Sequence, residues 1–278
     1  MPFVTVGQEN SGPISIYYED HGAGRPVVLI HGWPLSGASW ERQVVALLNA
    51  GFRVITYDRR GFGASSRPAT GYDYDTLVAD LDTLMTELDL RDATLIGFSM
   101  GGGEVARYVG TYGVDRLASV VFMSAVPPFL LHTDDNPEGA PPELFSGLQA
   151  QIAADRPGWL SHLFQDFYNA DVFGGTRITD AAMQLSWNIA AAGSAIGTWE
   201  LVNSFSHTDF RDDLATVTVP TLVIHGDADR IVPFEISGRR THEMIPGSRL
   251  EVIGGAPHGM GWTHADEVNK VLLDFLAE

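Results

Sequence analysis

Short, mostly apolar runs recur along the chain and predict the strands of a buried sheet. They occupy residues 26–30, 52–57, 93–98, 117–123, 221–224 and 250–253. Strands that are apolar on both faces are typical of a parallel sheet covered by helices on both sides. Near the start, the β-prone runs 3–7 and 14–19 are separated by Asn-Ser-Gly-Pro and predict an antiparallel hairpin.

Helical periodicity lies between these runs. One apolar stripe at helical spacing consists of Leu77, Leu81, Leu84, Met85 and Leu88. Further helices are predicted over 40–49, 100–112 and 266–276. Alternating strands and helices predict an α/β fold with a mostly parallel sheet and right-handed crossovers.

The alternation stops after Ala125. The following segment is rich in Pro, Gly, Ala and aromatic residues, and it contains helical patterns at 144–154, 158–167 and 180–191 but no strand pattern. Open α/β sheets bind ligands at the carboxyl ends of their strands. We therefore expect residues 1–126 and 216–278 to form the core, and residues 127–215 to form a helical cap inserted above that edge.

Composition and charge narrow the class of protein. The chain has 278 residues, of which 45% are hydrophobic, so it can bury a large core. Its 35 acidic and 17 basic residues give a net charge of −18, which argues against binding to nucleic acid or to an anionic membrane surface. Cysteine is absent, which excludes disulfides, thiolate metal sites and cysteine nucleophiles.

No targeting segment is predicted. The first residues contain neither a basic region nor a continuous apolar region of the kind found in secretory signals. The longest apolar stretch, 117–131, is interrupted by Ser124, Pro127 and Pro128, so we do not expect it to span a bilayer. The default expectation is a cytoplasmic protein.

A possible nucleophile follows the third predicted parallel strand. The segment Gly97-Phe98-Ser99-Met100-Gly101 has the pattern G-x-S-x-G and lies between a predicted strand and a predicted helix. A sharp turn in that context exposes the serine hydroxyl above the sheet, and small neighbouring residues relieve the crowding. Ser99 is therefore the candidate nucleophile.

A serine nucleophile needs a base, which is itself oriented by an acid. In this fold the order along the chain is serine, acid, histidine. His258 follows the last predicted strand and is the best placed of the nine histidines, whereas His264 is better suited to packing or capping. Asp227 and Asp229 both follow the preceding strand. We favour Asp229 as the acid, with Asp227 holding N–H groups of the loop.

Stabilisation of an oxyanion requires two backbone N–H groups. One is expected from Met100, the residue after the nucleophile. The other is expected from the loop after the first parallel strand, where Trp33 has an N–H group and Pro34 has none. Trp33 and Met100 are therefore the predicted donors.

A longer set of motifs occurs in one order along the chain. It consists of His31-Gly32-Trp33-Pro34, Asp58-Arg59-Arg60-Gly61-Phe62-Gly63, Gly97 to Gly103, Thr208-Asp209-Phe210-Arg211, His225 to Phe234 and Ala256-Pro257-His258-Gly259. Together these segments closely resemble the cofactor-free bacterial haloperoxidases (non-haem chloroperoxidases) and aryl esterases of the α/β-hydrolase superfamily. The resemblance extends from about residue 14 to the end of the chain.

The resemblance implies a catalytic triad at Ser99, Asp229 and His258, and it favours Asp229 over Asp227. It also implies oxyanion N–H groups at the positions of Trp33 and Met100. Members of this group hydrolyse small esters through an acyl-serine. Many accept hydrogen peroxide in place of water and release a peracid that oxidises halide, without any metal or haem. The implied partners are therefore a small ester and hydrogen peroxide, and a homo-oligomer is left open.

The remaining predictions concern the substrate pocket and the alternatives. The expected pocket residues are Pro34, Val126, Phe129, Ile231 and Val232. Proline at position 34 resembles the members that favour perhydrolysis, although turn geometry explains it equally well. The alternatives are a lactonase or small-ring amidase and, from another class, a non-catalytic receptor with a hydrolase-like fold.

Overall fold

A computed structural model describes residues 2–278 of the chain. Its centre is an eight-stranded sheet with the order β1-β2-β4-β3-β5-β6-β7-β8. The strands are β1 (Phe3–Glu9), β2 (Gly12–His21), β3 (Pro26–Ile30), β4 (Arg53–Tyr57), β5 (Ala93–Phe98), β6 (Leu117–Met123), β7 (Thr221–Gly226) and β8 (Arg249–Ile253). The pairs β1–β2 and β2–β4 are antiparallel, and the remaining pairs are parallel. The predicted α/β architecture with an N-terminal hairpin is confirmed.

Helices cover the sheet and fill the long connection between β6 and β7. They are α1 (Glu41–Asn49), α2 (Tyr74–Glu87), α3 (Met100–Tyr112), α4 (Pro142–Phe167), α5 (Ala170–Phe173), α6 (Asp180–Ala191), α7 (Ala195–His207), α8 (Arg211–Leu214), α9 (Gly238–Met244), α10 (Met260–Thr263) and α11 (Ala265–Leu276). Short 3₁₀ turns occur at Gly37–Trp40 and Phe234–Ile236. Within residues 2–278, no helix is long and apolar enough to cross a membrane.

The position of helix α2 is determined by its N-cap and by its apolar stripe. Asp73 caps its first turn by accepting a hydrogen bond from the N–H of Thr76 at 2.9 Å. The apolar stripe predicted from the sequence is buried against the core from Leu77 to Met85, while Leu88 is half-buried at the end of the helix. The stripe therefore anchors the helix to the sheet through a single face.

The structure differs from the sequence pattern in two local respects. The predicted helix 40–49 begins at Glu41, because Trp40 ends a separate 3₁₀ turn. The predicted helices 144–154 and 158–167 belong to one long element, α4, which is interrupted where Asp155 leaves the helical conformation. The carboxylate of Asp155 accepts a hydrogen bond from the N–H of Gly158 at 3.0 Å and so caps the second half of α4.

Helices α4 to α8 all lie in the segment predicted to be the cap, between β6 and β7. Among the described residues of this segment, β-pairing is limited to isolated bridges such as Leu131 with Ala140. The helical content agrees with the pattern in the sequence, and the division into core and cap remains a prediction.

Candidate active site

Ser99 occupies a strained turn at the junction of β5 and α3. Its φ angle is 55° and its ψ angle is −119°, a backbone conformation that residues with a side chain rarely adopt. The turn has no room for larger neighbours: a Cβ on Gly97 would lie 2.4 Å from the carbonyl oxygen of Gly101, and a Cβ on Gly101 would lie 2.4 Å from that of Ile30. The crowding therefore explains both flanking glycines of the G-x-S-x-G segment.

The side chains of Ser99, His258 and Asp229 form a hydrogen-bonded chain. The Oγ of Ser99 lies 2.9 Å from Nε2 of His258, and Nδ1 of His258 lies 2.7 Å from Oδ2 of Asp229. Because a carboxylate accepts and does not donate, Nδ1 carries the proton and Nε2 is free to accept from the serine hydroxyl. The rings of Phe98 and Phe167 pack against the imidazole, each with its centroid 5.0 Å away.

Asp229 is buried, and its other oxygen is fully engaged. Oδ1 accepts hydrogen bonds from the N–H groups of Ile231 at 2.9 Å and Val232 at 2.8 Å. Burial alone would raise the pKa of Asp229, but the charge of His258 and the hydrogen bonds from His225 and His258 outweigh it and hold this pKa well below its usual range. Asp229 is therefore ionised whenever the protein is folded near neutral pH.

Asp227 has a different environment. It is exposed, and its carboxylate accepts a hydrogen bond from the N–H of Gly255 at 2.5 Å, which joins the loops after β7 and β8. Of the two aspartates that competed in the sequence, only Asp229 contacts His258. Asp227 instead holds the loop N–H group, as expected.

The two predicted oxyanion donors border the same cavity as Ser99. Met100 is the first residue of α3, and the first N–H groups of a helix have no acceptor within it. The indole of Trp33 donates to the carbonyl of Thr198 at 3.2 Å and packs against Trp159. These contacts fix the loop that carries the Trp33 backbone.

A cavity of about 370 Å³ opens above Ser99. Of the predicted pocket residues, it is lined by Val126, Ile231 and Val232. Among the described residues, neither Pro34 nor Phe129 belongs to this lining.

Phe129 has a different environment from the predicted one. It is buried, and the guanidinium of Arg211 lies 5.5 Å from its ring centroid. It therefore packs beneath that cation, whereas its neighbour Leu130 lines the cavity.

Most of the cavity wall comes from residues that the sequence did not identify. They are Leu130, Leu144, Phe145, Leu148, Trp159, Leu163, Phe167 and Phe205, supplied by the segment after β6 and by helices α4 and α7. The periodicity of those helices indicates that one face is apolar, but it does not indicate whether that face meets the core or a cavity. The polar groups at the cavity are Gln151, His162, Asp166 and Arg230.

Comparison with known proteins places this chain in a family. A family model described as the alpha/beta hydrolase fold matches residues 25–265, most of the chain. The chain belongs to the α/β-hydrolase family.

Within this family the chain is similar to halide-oxidising and ester-cleaving enzymes. It is 60% identical to a protein of Synechocystis sp. provisionally named a non-haem chloroperoxidase, over 99% of this chain and 100% of that protein. It is 38% identical to the bifunctional esterase/perhydrolase of Acinetobacter calcoaceticus, over 95% and 96%. The solved bromoperoxidase of Bacillus anthracis is 51% identical, with a TM-score of 0.95 over 100% of this chain and 99% of that one. The resemblance seen in the sequence is confirmed.

A buried charge network supports the loop that carries Trp33 in this α/β-hydrolase. Arg59 donates through Nε to Glu104 of α3 at 2.7 Å and through a terminal nitrogen to the carbonyl of His31 at 2.7 Å. The N–H of Arg59 also donates to Nε2 of His31 at 3.0 Å. Burial, and then the charge of Arg59, hold the pKa of His31 well below its usual range, so its ring is neutral. The network ties the loop before Trp33 to the helix that follows Ser99.

Metal ligands are not grouped in this structure. Within residues 2–278, no three His, Asp or Glu side chains are arranged to hold a metal ion.

Proposed function

We propose that the protein is a serine hydrolase of small hydrophobic carboxylic esters and that hydrogen peroxide can replace water in its second step. The observation that carries this proposal is the chain of hydrogen bonds from Ser99 through His258 to Asp229 at the floor of an apolar cavity. The similarity to an esterase/perhydrolase and to haloperoxidases supports the same reaction class.

In the first step, Ser99 attacks the ester carbonyl while its proton passes to Nε2 of His258. Asp229 holds the imidazolium that forms. The N–H groups of Trp33 and Met100 receive the negative charge on the carbonyl oxygen, and each such donor contributes about 3 kcal/mol to stabilisation of the transition state. His258 then returns the proton to the departing alcohol, which leaves an acyl group on Ser99.

In the second step, a water molecule or hydrogen peroxide gives a proton to His258 and attacks the acyl-serine. The serine oxygen leaves and recovers that proton. Water yields the carboxylic acid, whereas peroxide yields the peracid, which can then oxidise a halide ion to hypohalous acid in solution. The reaction requires no cofactor, because the serine and the peroxide supply all of the chemistry.

The cavity accounts for the proposed substrate class. A volume of about 370 Å³ with mostly apolar walls suits a small acyl or aryl group. We assign substrate contact to Val126, Ile231 and Val232, and we propose that residues 127–215 act as a cap above the core. Pro34 fixes the backbone of Trp33.

Replacing the proposed nucleophile tests this assignment. Ser99→Ala should reduce the hydrolysis of an activated aryl acetate by up to about a million-fold, as expected when a triad member is removed. Ser119→Ala, which alters a buried serine in β6, should retain nearly full activity. If Ser99→Ala kept more than a tenth of the wild-type rate, the proposal would be wrong.

A fluorophosphonate probe separates an enzyme from a receptor of the same fold. The folded protein should be labelled at Ser99, and mass spectrometry of the labelled peptide identifies the position. Comparing water with peroxide on one ester series then measures peracid formation against hydrolysis. Absence of peracid at saturating peroxide would restrict the function to hydrolysis.

A further inference from the structure

We infer that His225 is a positioning residue that holds Asp229 against His258 from the side opposite the nucleophile. This inference rests on the proposed roles of Asp229 and His258. His225 is fully buried near the end of β7, four residues before Asp229. Its Nε2 lies 2.8 Å from the carbonyl oxygen of Val232 and 3.3 Å from Oδ2 of Asp229. Asp229 therefore faces two imidazole rings through the same oxygen.

The surroundings of His225 fix which nitrogen carries its proton. A carbonyl and a carboxylate only accept, so Nε2 must carry hydrogen. Nδ1 has no hydrogen-bond partner among residues 2–278, and a proton there would be buried without an acceptor. The backbone of Gly238 in α9 closes this side of the ring, where an added Cβ would lie 2.5 Å from Nδ1. The ring thus directs the N–H of Nε2 to the Val232 carbonyl, and Oδ2 of Asp229 lies 3.3 Å from the same nitrogen.

His225 and Asp229 both bind the backbone of Val232 in the loop after β7. The N–H of Val232 donates to Oδ1 of Asp229 at 2.8 Å, while its carbonyl accepts from His225. The loop cannot move away from the carboxylate without breaking both contacts. Rotation of the carboxylate is also opposed, because Oδ2 accepts from His258 and lies 3.3 Å from Nε2 of His225. The result is a carboxylate held in one orientation toward the base.

The second imidazole also moderates the charge that Asp229 presents to His258. The N–H of His225, whose nitrogen lies 3.3 Å from Oδ2, partly offsets the negative charge of the oxygen that holds the imidazolium. Without this donor, the imidazolium form of His258 is held more strongly, so His258 loses its proton at a higher pH. A role limited to filling space would leave that pH unchanged.

Few charged groups lie next to His225 and His258. The groups facing His225 are Asp229 and Val232 of its own loop, Phe234 at 5.7 Å between ring centroids, and Gly238 of α9. Of these, only Asp229 titrates. The groups facing His258 are Asp229, Ser99 and two phenylalanine rings.

The test compares a variant that removes the donor with one that keeps it. His225→Leu removes the N–H, whereas His225→Gln places an amide N–H near the position of Nε2. We expect His225→Leu to lower kcat with little change in KM and to move the acid limb of kcat/KM to higher pH by about half a unit, the effect of one modest hydrogen bond. His225→Gln should restore the wild-type limb, and His264→Leu, a buried histidine away from Asp229, should not move it.

Two outcomes would overturn the inference. One is a pH profile of His225→Leu whose acid limb coincides with that of the wild type, and the other is an equal shift in His225→Gln. If the leucine variant does not fold, His225→Asn takes its place, because the shorter amide leaves Asp229 without this donor and should give the same shift.

A measurement without substrate separates this inference from the proposed function. The imidazole N–H resonance of His258 can be followed by NMR as the resting protein is titrated, and the midpoint should rise in His225→Leu. If the wild type failed to hydrolyse any ester, the proposed function would be wrong. The midpoint of the His258 titration would still test the role of His225, because it is measured without substrate. An unchanged midpoint in a variant of an active enzyme would reject the role of His225 alone.

Discussion

At the scale of single residues, the buried ion pair between Arg59 and Glu104 joins two parts of the candidate site. Both side chains are almost fully buried, and Tyr57 donates to the second oxygen of Glu104 at 2.6 Å. A buried pair of this kind adds little net stability, but removal of one partner leaves a charge without compensation. The contribution of Arg59 is therefore best measured by deleting it.

Replacement of Arg59 by methionine should be strongly destabilising. Arg59→Met leaves the Glu104 carboxylate buried, and we expect the free energy of unfolding to fall by about 3–5 kcal/mol. Urea unfolding at neutral pH measures the loss. The matched control is Arg53→Met, which breaks the more exposed pair with Asp20 and should cost under about 1 kcal/mol. Similar losses for both variants would contradict this explanation.

The neutral ring of His31 makes the protein sensitive to mild acid. Burial, and then Arg59, depress the pKa of His31 in the folded state. Below about pH 6.5 the unfolded chain binds a proton there that the folded chain does not, so stability falls as the pH is lowered toward the depressed value. Each such group contributes a slope of up to about 1.4 kcal/mol per pH unit. His264, whose pKa is also lowered by burial, acts in the same direction.

Unfolding experiments between pH 7.5 and 5 test this prediction. The wild type should lose stability over this range, and His31→Gln, although less stable at pH 7.5, should show a smaller slope. A wild-type slope of zero would show that the folded protein accepts the proton.

At the scale of elements, the break in α4 separates two helical halves. Asp155 caps the second half, and Arg156 donates to the carbonyls of Ala190 and Ala191 at the end of α6. The second half carries Trp159 and Phe167, which line the cavity. The N-cap that Asp155 provides for the second half of α4 therefore contributes to the shape of the cavity.

Removing the N-cap side chain of Asp155 should weaken the second half of α4 without unfolding the core. Asp155→Ala should lower the free energy of unfolding by about 1 kcal/mol, the usual effect of losing an N-cap side chain. It should also raise KM for small esters more than it lowers kcat. Asp155→Asn removes the charge but keeps the capping oxygen, so it should behave as the wild type does. Equal losses in both variants would point to charge rather than capping.

The sequence predicted those parts of the site that depend on local structure. The turn at Ser99 was recognisable because β5 and α3 have clear periodicity and the crowded turn demands Gly97 and Gly101. The loops after β7 and β8 were placed for the same reason, since parallel strands deliver their carboxyl ends to one edge of the sheet. Local rules therefore predicted Ser99 and His258, and the family resemblance strengthened the choice of Asp229 over Asp227.

The cavity wall could not be predicted in this way. Whether an apolar residue of α4 or α7 meets the core or the cavity depends on how the helices pack above the sheet, and periodicity is the same in both cases. Phe129 is an example of this ambiguity. Its aromatic side chain suggests a pocket residue, but it packs under Arg211. The second imidazole near Asp229 could not be predicted either, because the spacing of His225 in β7 and Asp229 in the following loop does not show which side chains point inward.

At the scale of the whole molecule, the net charge of −18 sets the field that a substrate meets. Arg230 is the guanidinium that borders the cavity, and it pairs with Asp171 at 2.8 Å and lies 4.0 Å from Asp166. Its positive charge is thus offset locally. An anionic substrate therefore approaches an acidic protein at a cavity whose bordering Arg230 is already paired.

Salt should therefore affect esters according to their charge. Mobile ions screen charges beyond about 30 Å at 0.01 M and about 3 Å at 1 M. With aryl esters of equal size, kcat/KM should rise severalfold with salt for an acyl chain ending in a carboxylate, stay constant for the neutral ester and fall for one ending in a quaternary ammonium group, because steering acts on encounter. Initial rates below KM measure this ordering. An anionic ester that responds to salt as the neutral one does would show that the field at the entrance is negligible.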